Sequence, residues 1–120
     1  MILEESITLF DQNLPGISHT ELYELTFLQI QKDFIPYVQI ERPIEPLDGQ
    51  ILYLLVKNTI THVVSTQPQS LAPILYRIDL SEKDIRRDQR NISPSEMVSF
   101  ISQKILRKEA QKVWLRKSLS

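Results

Sequence analysis

The chain has 120 residues, 24% of them charged, a net charge of −1 and no cysteine. That length supports one domain able to bury around two-thirds of its unfolded surface without staples, and the missing thiols exclude disulfides, thiolate metal sites and a cysteine nucleophile. Only two glycines are present, Gly16 and Gly49, which leaves no material for a phosphate-cradling loop and little for tight β-turns.

Met1 to Ser6 lacks the positive region and apolar run of a signal peptide. The longest apolar run, Ile51 to Val56, is far short of a membrane span. The expected location is the cytoplasm, with no membrane contact. Leu3, Ile7, Phe10 and Leu14 repeat at helical spacing, although Ile7 to Phe10 could equally be extended, and the segment stops at Pro15-Gly16. Ser18-His19-Thr20-Glu21 is a capping box: serine accepts from an orphan amide and glutamate reaches back. The helix it opens should run to about Phe34. Tyr23, Phe27, Ile30 and Phe34 form one apolar seam and Leu22, Leu25 and Leu28 a second, so this helix should pack against two neighbours. Ile35 to Pro46 reads as an extended connector, because Pro36, Pro43 and Pro46 forbid regular helix.

The densest apolar stretch follows, from Asp48 to Ile85. As a helix capped by Asp48, residues 49–65 place Leu52, Leu55, Val56, Thr59 and Val63 in one stripe flanked by Tyr53, Ile60 and Val64, opposite Lys57, Asn58, Thr61 and Ser65. The competing reading is a hairpin of strands 51–56 and 59–64, which the β-branched residues favour. Lys57-Asn58-Thr59 offers no glycine for the turn, so helix is preferred. Leu71, Ile74, Leu75 and Ile78 line a further helix with Pro73 in its first turn. Tyr76 and Leu80 on its back would make it nearly enclosed. Arg77 and Asp79 interrupt this segment, either as an anion-binding arginine or, preferably, as a structural ion pair. Ser81-Glu82-Lys83-Asp84 signals another short helix.

Ile74-Leu75-Tyr76-Arg77-Ile78-Asp79-Leu80-Ser81-Glu82, followed about thirty residues later by Gln111-Lys112-Val113, resembles a phrase in small, uncharacterised helical proteins of bacteria. The resemblance covers the second half of the chain. It implies an all-α fold and a bacterial source, and no function.

Arg86 to Asn91 reads as a charged surface turn. Ser93, Pro94 and Glu96 then make the strongest helix start in the chain, for a helix reaching about Lys117. Its apolar stripe drifts from Met97, Val98, Ile101 and Ile105 to Leu106, Ala110, Val113 and Trp114. That requires either different neighbours at its two ends or a kink near Lys104. Lys104, Arg107, Lys108, Lys112, Arg116 and Lys117, against Glu109 alone, make its second half basic. Residues 1–50 conversely hold nine acids and two bases, and residues 51–120 twelve bases and six acids. Such asymmetry fits a polyanion partner or an internal charge match.

No G-x-S-x-G elbow, P-loop, dinucleotide fingerprint or H-E-x-x-H occurs, and His19 and His62 lack ligand spacing with other residues. The expectation is therefore a single all-α domain of four to five helices with a proline-rich connector; the alternative is α+β with a central hairpin. It carries no catalytic, cofactor or metal site. The expected function is a non-catalytic protein-interaction or assembly module, self-association included. The alternative is a weak nucleic-acid binder using the six basic residues of the last helix.

Overall fold

The computed structural model describes residues 16–80, 83, 85, 93 and 96–119. Among these the fold is all-α, with no strand: α1 (His19–Phe34), α2 (Gly49–Thr66), a 3-10 turn (Pro68–Ser70), α3 (Leu71–Ile78) and α4 (Met97–Ser118). The stretch from Leu3 to Leu14, the beginning of the short helix at Ser81, the turn from Arg86 to Asn91 and Pro94 lie outside the described residues. Lys83 and Ile85 are helical.

The caps act as their chemistry dictates. Ser18 Oγ accepts from the Glu21 amide at 3.1 Å, and Asp48 Oδ1 from the Ile51 amide at 2.8 Å. The central stretch is helix and not hairpin. Thr59, Thr61, Ser65 and Thr66 each donate a hydroxyl to the carbonyl four residues back, at 2.8 Å. Residues that lean towards strand or turn thereby satisfy their polar atoms inside the helix itself.

The connector is ordered, but its first residues are not extended: Ile35 to Tyr37 form a turn in which the Tyr37 and Val38 amides donate to Phe34 O, both at 2.9 Å. From Val38 the chain has no regular secondary structure; it places Ile40 in the core and bends at Ile44-Glu45. It is tied there by Gln31 Nε2 to Ile40 O (2.9 Å) and Gln67 Nε2 to Tyr37 O (3.1 Å). Arg42 pairs with Glu24 and lies 4.9 Å over the Phe27 ring.

The core is built from Leu22, Phe27, Ile30 and Phe34 of α1, Leu52, Val56, Ile60 and Val63 of α2, Ile74 and Ile78 of α3, and Phe100, Ile105, Leu106 and Ala110 of α4. α4 is the element against which both α1 and α2 pack, and this resolves the drift of its stripe. It is one unbroken helix meeting different neighbours. Its regular part begins at Met97, preceded by a turn in which Ser93 Oγ donates to Glu96 Oε1 (2.8 Å) and the Glu96 amide to Ser93 O (3.0 Å).

Three expectations need correcting. α3 is not enclosed, because Tyr76 is 86% exposed. Leu80 is buried by another route: Asp79 takes a left-handed conformation (φ 74°, ψ 39°), and the Leu80 amide reaches Leu75 O at 2.8 Å. With Asp79 N to Tyr76 O at 3.1 Å this is a Schellman stop, with aspartate where glycine is usual. Secondly, Arg77 and Asp79 are both exposed and do not pair with each other. Arg77 Nε donates to Asp33 O (3.1 Å) and Nη2 to Lys32 O (3.4 Å), closing the carbonyl end of α1, while Asp79 faces Lys108 at 3.7 Å. Thirdly, the second apolar seam of α1 is not covered. Leu22 is buried, but Leu25 is only half-buried and Leu28 is 46% exposed.

Candidate functional site

The uncovered seam opens into a groove between α1 and α4. Leu25, Leu28 and Val113 supply its apolar surface, Gln29 its polar wall, and Lys32, Arg116 and Lys117 a cationic border around a volume of about 430 Å³. The spacing is helical on both sides: 25, 28, 29 and 32 share a face of α1, and 113, 116 and 117 a face of α4.

Beneath the groove lies a buried polar cluster. Lys112 Nζ sits 2.8 Å from Asp33 Oδ2 and 3.1 Å from Glu109 Oε1. Gln29 bridges it to the groove, because its Nε2 donates to Asp33 Oδ2 (3.1 Å) while its Oε1 accepts from Arg116 Nη2 (2.7 Å). The carboxamide thus fixes the Arg116 guanidinium on the groove border. At the far end Lys117 Nζ meets Glu21 Oε2 at 3.0 Å.

Charge in this cluster is settled by burial. Glu109 is fully buried, with its Oε1 facing the Lys112 ammonium and its Oε2 without a hydrogen-bond partner among the described residues. Desolvation foremost, then the neighbouring Asp33 carboxylate, pushes its pKa up to about 9 despite Lys112. At neutral pH Glu109 is therefore a carboxylic acid able to donate to Asp33. Burial also works against the charge of Asp33, but hydrogen bonds from Lys112, Glu109 and Gln29 outweigh it and hold its pKa below the ordinary 3.8. Burial likewise opposes the charge of Lys112, and its two carboxyl neighbours outweigh that and hold its pKa above 10.5. One carboxylate, one acid and one ammonium sum to no net charge in the interior.

The six basic residues of α4 do not present one free surface. Lys112 is turned inward, Arg116 is held by Gln29, Lys117 by Glu21, and Lys108 stands near Asp79. Lys104 Nζ lies 5.5 Å over the Phe100 ring and Arg107 is exposed. Only Arg116 and Lys117 of the six line the groove, joined there by Lys32, which the sequence did not single out.

Asp33, Gln29 and Glu109 were also not singled out. A signal for them existed: Thr26, Gln29 and Asp33 form a polar stripe between the two apolar seams of α1, and Glu109 falls on the face shared by Ile105, Leu106 and Val113. Among the described residues no group of three or more His, Cys, Asp or Glu could hold a metal ion, and no helix is long and apolar enough to cross a membrane. Compared with known protein families, curated proteins and solved structures, the chain matches none.

Proposed function

We propose that the chain is a non-catalytic protein-interaction module, working in a bacterial cytoplasm, and that its contact surface is the groove between α1 and α4. The carrying observation is the uncovered Leu25–Leu28 seam bordered by cations that Gln29 and Glu21 already hold in place. An apolar floor supplies affinity, and pre-positioned charges supply orientation at little ordering cost. The buried acid–carboxylate–ammonium cluster acts as the rigid backing of that surface, with no reactive group of its own at the groove.

Nucleic-acid binding through Lys104, Arg107, Lys108, Lys112, Arg116 and Lys117 is the less supported reading. Lys112, Arg116 and Lys117 are engaged with partners from α1, which leaves fewer of the six cations available to a polyanion. The distinguishing experiment places a photo-reactive residue at position 28 in the groove and, separately, at the exposed position 62 on α2. A protein adduct from 28 and none from 62 is expected. No adduct from 28, or equal adducts from both, defeats the proposal. Strong, salt-sensitive retention of the wild type on a DNA or RNA column favours the alternative.

A further inference from the structure

We propose that the occupant of the groove is a second copy of this chain, which inserts Ile44 of its connector. This rests on the interaction-module reading and names its partner. Ile44, at the bend of the connector, is a fully exposed isoleucine, so its side chain is available for contact. Pro43 and Pro46 bracket it and fix the backbone, so little freedom remains to be lost on docking. The loop is also anchored at its base, where Arg42 pairs with Glu24 and covers the Phe27 ring.

That anchoring leaves the tip acidic. Arg42 is spent on Glu24, while Glu41 and Glu45 are exposed on either side of Ile44 with no ion-pair partner among the described residues. The tip therefore presents one apolar side chain between two carboxylates. The groove presents the converse, an apolar floor of Leu25, Leu28 and Val113 between Lys32 and Arg116. Apolar and charged groups match in the same order.

The two surfaces are also neighbours within one copy, because the loop is anchored at Glu24 and the groove begins at Leu25 on the same helix. Adjacent, complementary and non-identical surfaces satisfy each other pairwise in a two-fold dimer: each copy gives its tip and receives the other's. Contact is thus made twice per dimer, which allows a small patch to suffice.

The test is sedimentation of the full chain over a wide concentration range. The wild type should show a monomer–dimer equilibrium. Ile44→Asp and Leu28→Asp, both at exposed positions and so expected to keep the wild-type helical spectrum and melting temperature, should each weaken the dimer by about tenfold or more. Mixing the two variants restores one intact tip-in-groove contact and should give a heterodimer tighter than either variant's homodimer. Glu45→Lys should weaken association, and Glu45→Lys combined with Lys32→Glu should recover it. A wild type that stays monomeric, or dimers indifferent to Ile44→Asp, overturns the proposal. Adducts from position 28 to another protein with a monomeric wild type sink this inference and leave the interaction-module reading standing. Absence of any adduct from 28 sinks both.

Discussion

Glu109 holds a proton at neutral pH because an anion there would be buried beside Asp33 with only Lys112 to offset two carboxylates. Its folded pKa, about 9, lies above the ordinary 4.5. The folded state therefore binds more protons than the unfolded state across that window, and stability falls as pH rises through it, by up to roughly 1.4 kcal/mol per pH unit. Glu109→Gln keeps the shape, removes the titration, and should flatten the stability profile between pH 5 and 9 measured by urea unfolding. An unchanged slope would mean that another group carries it. Asp33 acts in the opposite sense: its contribution is present above 3.8 and lost as pH falls through its lower folded value. Two further residues carry a cost that can be removed. Thr26 is fully buried and its Oγ1 has no hydrogen-bond partner, so Thr26→Val should be neutral or stabilising by up to about 1 kcal/mol. Asp79 adopts the left-handed conformation at φ 74°, and Asp79→Gly should stabilise by about 1 kcal/mol, seen as a raised melting temperature.

At the scale of elements, the α1–α4 seam separates cations that look alike along the chain. Lys112→Glu would place a third carboxyl group beside Asp33 and Glu109 and remove their counter-charge, at a cost on the order of 3–5 kcal/mol. Lys108→Glu, where Asp79 is largely solvated at 3.7 Å, should cost less than about 1 kcal/mol. Equal losses in thermal unfolding would show that the cluster is not what joins the two helices. The elements themselves were legible in the sequence, because capping chemistry and apolar period are local. Ser18 and Asp48 announce α1 and α2, and Pro73 in a first turn fits α3. The candidate site was only partly legible. A stripe shows which face can be buried, not whether a neighbour reaches it, so the Leu25–Leu28 seam read as core when it is groove. In the sequence Glu109 counts only as the one acid against six bases, because the pattern of α4 drifts and its inward face is set by where α1 and α2 lie. Arg77 and Asp79 read as buried charges because the helix carrying them was expected to be enclosed.

For the whole molecule, part of the lopsided charge of the sequence is met inside one chain. Glu21 and Asp33 from the acidic half meet Lys117 and Lys112 from the basic half across a single helix pair. Long-range attraction to a polyanion is correspondingly weak, and wild-type retention on nucleic-acid columns should be negligible at physiological salt. Raising salt should change folding stability by less than about 1 kcal/mol, since the Lys112–Asp33 contact is shielded from solvent and only exposed pairs such as Lys117–Glu21 are screened. A large salt-induced drop in melting temperature would place the important pairs at the surface instead. The proposed dimer, by contrast, should weaken with salt, because its charges would meet at a border open to water.

The sealed position of Glu109 also has a kinetic consequence. Its carboxyl group is fully buried beside Asp33 and Lys112, in a network that Gln29 and Arg116 extend to the groove between α1 and α4. Exchange of its proton with water is expected to wait on a local opening at this helix pair. A stopped-flow jump to alkaline pH should therefore meet a lag, with deprotonation waiting on a local opening event and not on the diffusion of hydroxide. The measured rate would then be a clock for the breathing of the helix pair. A variant that tightens the seam should slow that clock even where it leaves the pKa of Glu109 unmoved.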